Sequence, residues 1–518
     1  MALKMSDVDI KLPPPASPEP LKPSLTLLAS WLVIGKVISF ILSLSLPLLL
    51  VRRLSKEELG LYKQAFLVVG SATVSLPLGV GMSAFYFLPR EPWRGGQLML
   101  NILLCHAFTG SLALITLLFA PVLLRVIFNS PDLEQYAPLI GIVILLWGVA
   151  YFLETAVVAN QESRIAAALI IVAQLSKTGF MVTAAILAAS VRSLLYAALF
   201  QGIVQSALLI CYLNWRFPGF WRSFDGGLLR RQLSYAIPFG LAGLLYTLEG
   251  DYHNYFVSNR FGPVNFAVYS IGCLDIPLIA ILIEAVGSVM VPRASALQRE
   301  DNRRELIRLT VRAMRKLALT FLPVYAFLMV AGRDFMVALF TPRYADSWPI
   351  FAINLTMLPF ATVMTDPLVR AYADQRYYLL RFHIVLFASM VVALWFGVQR
   401  FGMLGAVGVI VGFNIVGRLW MAIHMGRIIG VVRQDWKLLG GFAMVAIAAA
   451  AAAAVTAAVR QFLPPMRPLP TVAVSGLCYG AAYLAAVVLL KIPDAEERNL
   501  VRRFVEKFAP VFGIAGRL

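Results

Sequence analysis

Long apolar runs dominate this sequence and decide what it can fold into. We identify fourteen runs of about 20 mostly apolar residues, the length that a helix needs to cross the hydrocarbon core of a bilayer. Of the 518 residues, 60% are apolar and 14% are charged, whereas soluble domains average about 45–50% and about 25%. So much apolar surface cannot be buried inside a water-soluble globule, which excludes a soluble enzyme. The predicted fold is an all-α polytopic membrane protein.

Short polar links between the runs divide the chain into six segments. Residues 1–23 carry six prolines, which exclude a packed helix, so we predict a disordered cytosolic tail. The segments that follow are a first lobe of spans one to six (24–214), a cytoplasmic link (215–232), a second lobe of spans seven to twelve (233–430), spans thirteen and fourteen (431–490) and a basic amphipathic cytosolic tail (491–518). The predicted spans cover approximately 25–51, 61–88, 98–128, 137–159, 165–189, 194–213, 233–257, 266–291, 317–340, 348–369, 378–398, 404–428, 438–459 and 471–490.

An internal repeat supports the two lobes. Leu59-Gly60-Leu61-Tyr62, after the first span of the first lobe, matches Phe266-Ala267-Val268-Tyr269 after the first span of the second lobe. Leu88-Pro89-Arg90 matches Val291-Pro292-Arg293 in the same order. Because each lobe has an even number of spans, both lobes cross the membrane in the same sense, and we expect a cavity between them. Spans thirteen and fourteen have no counterpart in the repeat.

The positions of the basic residues predict the orientation. About two thirds of the 45 Lys and Arg residues fall in the tails and the even-numbered loops, so by the positive-inside rule both termini are cytoplasmic. The link at 293–316 is the most basic of these loops. It also has Leu306, Leu309, Ala313 and Leu317 at helical spacing, which predicts an interfacial amphipathic helix on anionic lipid headgroups. A solvated connector is the alternative.

The sequence predicts neither a cofactor nor a metal site. Each of the four cysteines lies inside an apolar run, without a CxxC or Cys/His pattern: Cys105, Cys211, Cys273 and Cys478. There is no nucleotide-binding motif. The bases lie between apolar runs, so we expect no nucleic-acid partner despite the net charge of +18.

Three short segments carry a resemblance to a known family: Leu54-Ser55-Lys56-Glu57-Glu58-Leu59-Gly60-Leu61-Tyr62, Phe340-Thr341-Pro342-Arg343-Tyr344-Ala345 and Tyr372-Ala373-Asp374-Gln375-Arg376. Over nearly all its length the chain resembles the bacterial polysaccharide (O-antigen type) flippases of the multidrug/oligosaccharidyl-lipid/polysaccharide exporter superfamily. The resemblance implies an inner-membrane transporter, not an enzyme, that moves a polyprenyl-pyrophosphate-linked oligosaccharide to the outer leaflet. It also implies other envelope polysaccharide assembly proteins as partners. The Pro-rich N-terminal tail departs from the simplest family pattern.

Basic residues near the middle of predicted spans are candidates for substrate binding. An ionisable group at this depth costs about 2.5–3.5 kcal/mol on insertion scales, so it normally faces protein or a wet cavity. Lys36, Lys177 and Arg418 could form a positive cavity for a pyrophosphate headgroup, in line with the cationic lumen that the resemblance implies. Ser39 and Ser43 share the helix face of Lys36, and Gln174 and Asn414 lie one turn before Lys177 and Arg418, so we include the two serines and Asn414 among the candidates.

Acidic residues in the spans are candidates for coupling to protons or sodium: Glu249, Asp251, Asp275 and Glu284, with His253 as a proton relay. Two alternatives stay open. Glu249, Asp275 or Glu284 could neutralise the buried bases in ion pairs that lock the lobes together. A single histidine near the end of a span is also often a packing residue whose hydrogen bonds are satisfied.

Alternating access by two lobes, around a cavity lined mainly by spans one, two, seven and eight, is the predicted mechanism. An ion-coupled drug exporter of the same superfamily is the alternative function, although buried bases favour an anionic substrate over a cationic drug. A multispan glycosyltransferase or polymerase would need larger outward loops with catalytic acids. A membrane scaffold would not explain the duplication.

Overall fold

The computed structural model of the chain describes residues 38–39, 42–43, 45–274, 276–372 and 376–492, and regular structure in these ranges is entirely helical. The helices are α1 (45–53), α2 (Lys56–Ser75), α3 (Ser83–Phe87), α4 (Gly95–Phe119), α5 (Val122–Phe128), α6 (Pro131–Glu134), α7 (Ala137–Ala159), α8 (Ser163–Leu187), α9 (Val191–Arg216), α10 (Gly226–Gly272), α11 (Pro277–Arg299), α12 (Arg303–Phe340), α13 (Trp348–Leu355), α14 (Met357–Phe360), α15 (Asp366–Ala371), α16 (Arg376–Ile429), α17 (Gly440–Phe462) and α18 (Pro468–Leu489). Short 3-10 helices lie at Val80–Met82, Pro92–Arg94, Phe220–Arg222, Pro342–Ser347 and Arg433–Leu439.

Ten helical segments of the described residues are long and apolar enough to cross a membrane. The segment in α16 crosses twice, because 54 residues of helix would extend about 80 Å. The chain turns at Gly402, which has a φ of 59°, and the two arms are so close that a methyl group on Gly405 would overlap the carbonyl oxygen of Gly397. The polytopic all-α fold is thus confirmed. The number of fourteen spans stays a prediction, since much of span one lies outside the described residues.

Prolines break several of the predicted spans. Within the span predicted at 61–88, the straight helix α2 ends at Ser75. The chain then turns after Pro77 through Leu78 (φ 46°) and Gly79 (φ 68°) before α3 begins. The span predicted at 98–128 is divided into α4 and α5 by Ala120 and Pro121. The span predicted at 266–291 is interrupted before Pro277, and that at 348–369 consists of α13, α14 and α15. Proline has no backbone N–H, so a helix that contains proline already lacks one hydrogen bond. Breaking the helix at that point therefore costs little additional energy.

Residues 45–222, which we call the first half, and residues 226–429, the second half, meet along α2 and α10. Backbones touch at two points of this contact: a methyl group on Gly60 would overlap Pro263, and one on Gly240 would overlap Leu78. Side chains of both halves share one hydrophobic core, which includes Leu54 and Phe266. The last two helices, α17 and α18, pack on α12 through a separate apolar cluster.

The basic link at 293–316 differs from the separate interfacial helix that we expected. It consists of the end of α11 and the start of α12, and α12 then continues to Phe340, a length of about 57 Å. Its apolar side chains Leu306 and Ile307 pack against Met421 and Met425 of α16 rather than facing lipid. One stripe of the helix stays exposed and is entirely basic: Arg304, Arg308, Arg312 and Lys316.

Candidate functional site: a polar cavity between the two halves

A cavity of about 570 Å³ lies between α2 of the first half and α10, α13 and α16 of the second half. We call it the central cavity. Residues that follow the kink in α10 at Gly262 complete its wall. Of the four spans predicted to line it, spans two, seven and eight do so, and no described residue of span one is among the lining. The spans predicted at 348–369, 378–398 and 404–428 also contribute, which the sequence did not predict. Its polar and ionisable lining is unusual for a membrane interior and includes Lys63, Glu249, Asp251, His253, Asn354 and Asn414.

Counting along the helices places this polar lining near the middle of the bilayer. Lys63 is seven residues, or about 10 Å, from the start of α2. Asn414 is twelve residues, or about 18 Å, from the turn at Gly402. Glu249 is thirteen residues, or about 20 Å, before the kink at Gly262. For a hydrocarbon core of about 30 Å whose edges lie at these helix ends and turns, all three residues are inside the core.

Hydrogen bonds hold the acidic and histidine side chains of the cavity in place. Both carboxylate oxygens of Glu249 lie 3.0 Å from Nδ1 of His383 on α16. Ser71 of α2 donates a hydrogen bond of 2.7 Å to Asp251, so this carboxylate joins the two halves. Nδ1 of His253 lies 2.8 Å from the hydroxyl oxygen of Tyr269, and the histidine is almost fully buried.

Arg418 supports the cavity wall from behind. Its Nε donates a hydrogen bond of 3.0 Å to the side-chain oxygen of Asn414, which lines the cavity. Arg418 is not itself a lining residue, and its link to the cavity is the hydrogen bond to Asn414. The predicted pair of Asn414 and Arg418 is therefore together at this site.

Lys177 is in a different place. It lines a second cavity of about 240 Å³ within the first half, which we call the first-half cavity, together with Ser39 and Gln174. Its Nζ lies 4.5 Å from the ring centre of Trp147. The two cavities share no lining residue, so the structure does not unite Lys177 and Arg418 in one positive lumen.

The other predicted residues are not part of either cavity lining as described. Lys36 and Asp275 lie outside the described residues. Ser43 and Glu284 are described, and each has interactions elsewhere in the protein, but neither lines the central or the first-half cavity.

Sequence reasoning missed Lys63 and Asn354 of the cavity lining and His383, the partner of Glu249. Lys63 stands at the edge of the span predicted at 61–88 and was counted with the preceding basic loop, whereas α2 begins at Lys56 and places Lys63 two turns inside a helix. The signal was present: Ser55 accepts a hydrogen bond from the backbone N–H of Glu58, and a serine three residues before a glutamate is a helix-start pattern. His383, the partner of Glu249, lies within a predicted span and was not considered.

At the end of the molecule that carries the predicted cytoplasmic loops, ion pairs and rings join the halves. Arg231 of α10 donates two hydrogen bonds, of 3.0 and 3.1 Å, to the carboxylate of Glu91. These bonds lower the pKa of Glu91 and raise that of Arg231. A hydrogen bond from the backbone N–H of Leu228 lowers the pKa of Asp225. Nearby, the rings of Tyr86 and Tyr235 stack with centres 4.6 Å apart.

A buried polar cluster continues this contact inward. Gln232 of α10 donates to the hydroxyl of Ser83 and accepts a hydrogen bond of 3.0 Å from Asn101 of α4. All three side chains are fully buried. Such a network holds the two halves in one register, because each partner would be left unsatisfied if they slid apart.

Comparison with known proteins identifies both the family signature and the fold. A family model described as "Polysaccharide biosynthesis protein" matches residues 100–349. No curated protein matches the sequence. The structure is similar to that of a lipid II flippase, MurJ, in an inward closed conformation, with 14% identity and a TM-score of 0.70, over 92% of this chain and 100% of that chain.

Two further structural relatives belong to the MOP superfamily. A transporter from Pyrococcus furiosus Vc1 is 16% identical with a TM-score of 0.56, over 78% of this chain and 95% of its own. An inward-facing multidrug resistance transporter of the MATE family is 18% identical with a TM-score of 0.60, over 76% of this chain and 96% of its own. The chain therefore has the fold of the MOP superfamily transporters and matches the polysaccharide biosynthesis family over residues 100–349, which confirms the resemblance predicted from its sequence.

Proposed function

We propose that the chain is a flippase that moves a polyprenyl-pyrophosphate-linked oligosaccharide across the cytoplasmic membrane by alternating access. The observation that carries this proposal is the central cavity, which holds ionisable and amide side chains at mid-membrane depth between two halves. The family match points to polysaccharide biosynthesis, and one relative of the same fold is a lipid II flippase. We therefore propose transport, rather than catalysis, as the function of this cavity.

The headgroup would bind where the central cavity offers a cation and amides. Lys63 supplies a charge from the first half, while Asn414, backed by Arg418, supplies an amide from the second half. A pyrophosphate needs several donors, and Arg and Lys are the side chains that meet phosphate most favourably. Lys36, Ser39, Ser43 and Lys177 remain further candidates for substrate contact on the side of the first half.

The same proposal includes location and partners. The chain would lie in the cytoplasmic membrane with both termini in the cytoplasm, as the distribution of bases predicts. The exposed stripe of Arg304, Arg308, Arg312 and Lys316 would then face anionic lipid headgroups at the cytoplasmic surface. Other proteins of envelope polysaccharide assembly would supply the substrate.

Reconstitution tests the proposal. Purified protein is placed in liposomes with a fluorescent polyprenyl-pyrophosphate oligosaccharide, and the fraction protected from an external quencher is followed over time. We expect the protected fraction of the fluorescent lipid to reach its final value faster in liposomes that contain the protein than in empty liposomes. Equal rates with and without protein, for several glycans, would contradict the proposal.

The second candidate function is ion-coupled export of a small molecule. The contact between Glu249 and His383, beside Asp251, favours it, because a carboxylate at a cavity wall can load and release a cation. The MATE relative fits the same candidate. Under this function, Glu249→Gln should remove the response of transport to an ion gradient, measured in the same liposomes with and without the gradient. Gln205→Asn, in the other cavity, should keep that response, and a full response in Glu249→Gln would exclude this role for Glu249.

A further inference from the structure

Hydrogen bonds also join the halves at the end of the molecule opposite the predicted cytoplasmic loops, which we call the outer end. Arg52, near the end of α1 in the first half, donates a hydrogen bond of 3.2 Å from Nη2 to the carbonyl oxygen of Ala338 on α12. Asn259, on α10 of the second half, donates from Nδ2 to the carbonyl oxygens of Val126 and Ile127 on α5, at 2.9 and 3.0 Å. Each half thus holds the other with one side chain.

The acceptors of both side chains lie in the last turn of a helix. Helix α5 ends at Phe128 and α12 ends at Phe340, and the last four carbonyl groups of a helix have no partner within it. The chain leaves the two helices through residues of positive φ, Asn129 (48°) and Thr341 (71°). A donor from the opposite half therefore satisfies carbonyl groups at the helix end, and the charge of Arg52 also suits the negative end of the dipole of α12.

The two contacts are equivalent in the internal repeat. Asn259 follows Arg52 by 207 residues, which is the offset at which residues 59–62 match residues 266–269. The acceptors correspond as well, because α5 and α12 each end the third predicted span of their half. The recurrence of donor, acceptor helix and positive-φ turn indicates a contact that belongs to the repeated unit rather than to one local packing arrangement.

The contacts at the outer end can be released at little cost. Arg52 is exposed and Asn259 is half-buried, so water can replace the partners of both side chains when the halves part. The cluster of Gln232, Ser83 and Asn101 near the other end is fully buried, and water would have to enter it before it could separate. The outer contacts therefore have the properties of a reversible closure.

From these contacts we infer that Arg52 and Asn259 form a latch with two equivalent arms, which holds the outer end closed and must release before a ligand leaves the central cavity toward that end. Asn259 lies six residues, or about 9 Å, beyond His253 of the cavity lining along α10, so the latch is on the outer side of the cavity. The closure follows from the contacts themselves, while the release of a ligand in this direction rests on the proposed function.

Distances between spin labels test the latch without any transport step. Labels are attached to Gln135→Cys in the first half and Arg343→Cys in the second, both at exposed positions of outer-end loops, in the full chain with its native cysteines replaced by alanine. Double electron–electron resonance on the purified protein in lipid nanodiscs gives the ratio of long to short distances. We expect Arg52→Ala and Asn259→Ala each to raise this ratio about three- to tenfold, the effect of a lost hydrogen bond. The double variant should multiply the two effects, because the arms bond different helices.

Neighbouring bases provide matched controls. Arg53→Ala and Arg260→Ala each remove an exposed base one residue beyond an arm of the latch, and the distance ratio should stay at the value of the parent protein. If Arg52→Ala does not elute as a folded protein, Asn259→Ala decides, since it removes only a half-buried neutral side chain. Unchanged distances in Asn259→Ala and in the double variant, or an equal increase in the controls, would overturn the latch.

Flipping assays on the same proteins separate the latch from the proposed function. We expect the wild type to flip the fluorescent lipid-linked oligosaccharide and the double variant to show the longer distances. Longer distances in the double variant, without flipping by the wild type, would contradict the flippase proposal and leave the latch standing. Flipping by the wild type, with the same distances in the double variant as in the parent protein, would contradict the latch alone.

Discussion

Lys63 is the cation with which the first half faces the central cavity. We expect Lys63→Ala to lower flipping of the lipid-linked oligosaccharide about ten- to hundredfold, because a hydrogen bond to a charged group contributes about 1.5–3 kcal/mol. Initial rates in liposomes, at equal amounts of folded protein, measure the effect. Lys63→Arg should keep part of the activity, since it preserves the charge but not the shape of the group. Lys437→Ala, at an exposed position, is the matched control, and a wild-type rate in Lys63→Ala would exclude a role for Lys63 in headgroup binding.

At the scale of single residues, the candidate polar side chains could be named from the sequence, but which of them lie together in one cavity could not. The cost of a charge in the membrane drew attention to Glu249 and Asp251, and the spacing to Arg418 drew attention to Asn414; all three residues line one cavity. The sequence could not show that Lys177 belongs to another, because depth along a span does not reveal which neighbour a helix face meets. That face depends on helix rotation and packing, which only the tertiary structure fixes.

Helix α10 contacts the turn after α2 at a point where no side chain fits. A methyl group on Gly240 would overlap the carbonyl oxygen of Leu78, whose backbone is already held at a φ of 46°. We expect Gly240→Ala to destabilise the protein by about 1–3 kcal/mol, the usual cost of forcing an extra group into a packed contact. The midpoint of thermal unfolding in detergent measures this loss. Gly243→Ala, one turn further along α10 with open space around it, should be neutral or slightly stabilising. Equal midpoints for the two variants would mean that the halves do not need this close contact.

The loop after α3 and the start of α10 are joined by Glu91 and Arg231, outside the predicted spans. Arg231 lowers the pKa of Glu91 below its usual value of 4.5, so the folded state binds a proton less readily than the unfolded state. The resulting stabilisation is complete above pH 4.5 and is lost as the pH falls through the lowered pKa. Thermal midpoints between pH 7 and pH 3 should show wild type above Glu91→Gln at neutral pH, with the difference closing in acid. For Glu57→Gln, at an exposed position, the difference in thermal midpoint from wild type should not shrink as the pH falls. A difference for Glu91→Gln that is the same at every pH would contradict the ion-pair explanation.

At the scale of elements, periodicity predicted where helices run but not where they break. Pro77 and Pro121 stand inside apolar runs that the sequence reads as single spans, and each marks the end of a straight helix. Apolar composition persists through such breaks, so only local backbone geometry distinguishes one bent span from two helices. The basic helix shows the converse: Leu306, Ala313 and Leu317 belong to the pattern that predicted a membrane-surface helix, yet all three are buried in protein, Leu306 in one apolar cluster with Met421 and Met425 of α16. Amphipathic spacing indicates that one face is covered and does not say whether lipid or protein covers it.

The whole molecule must change shape if the two halves work by alternating access. Tyr86 and Tyr235 stack across the halves near the predicted cytoplasmic end. We expect a short bis-maleimide to block transport in a Tyr86→Cys/Tyr235→Cys variant without the native cysteines, because it joins surfaces that have to separate. Phe180→Cys/Phe200→Cys, whose rings are 6.4 Å apart within the first half, should tolerate the same cross-link. Full transport by the cross-linked Tyr86/Tyr235 variant would show that this end does not open.

At this largest scale the duplication allowed the general architecture to be predicted from the sequence. Residues 59–62 and 266–269, which matched in sequence, belong to helices α2 and α10, which touch at Gly60 and Pro263, and Leu59 and Phe266 share one hydrophobic core. The long Pro-rich tail and the last segment, 493–518, lie outside the described residues, so predictions about them stay predictions.

The polarity of α10 has a consequence for biogenesis. Despite its 47 residues, α10 is not among the ten described helices that are apolar enough to cross a membrane by composition. Its polar side chains are satisfied by α2, which supplies Ser71 to Asp251 and Gln64 to Ser258. During synthesis, therefore, the insertion machinery should retain this segment poorly until the earlier helices have assembled. We therefore expect the first half to assist the insertion of the second, so that the order of the two halves along the chain matches the order of their assembly.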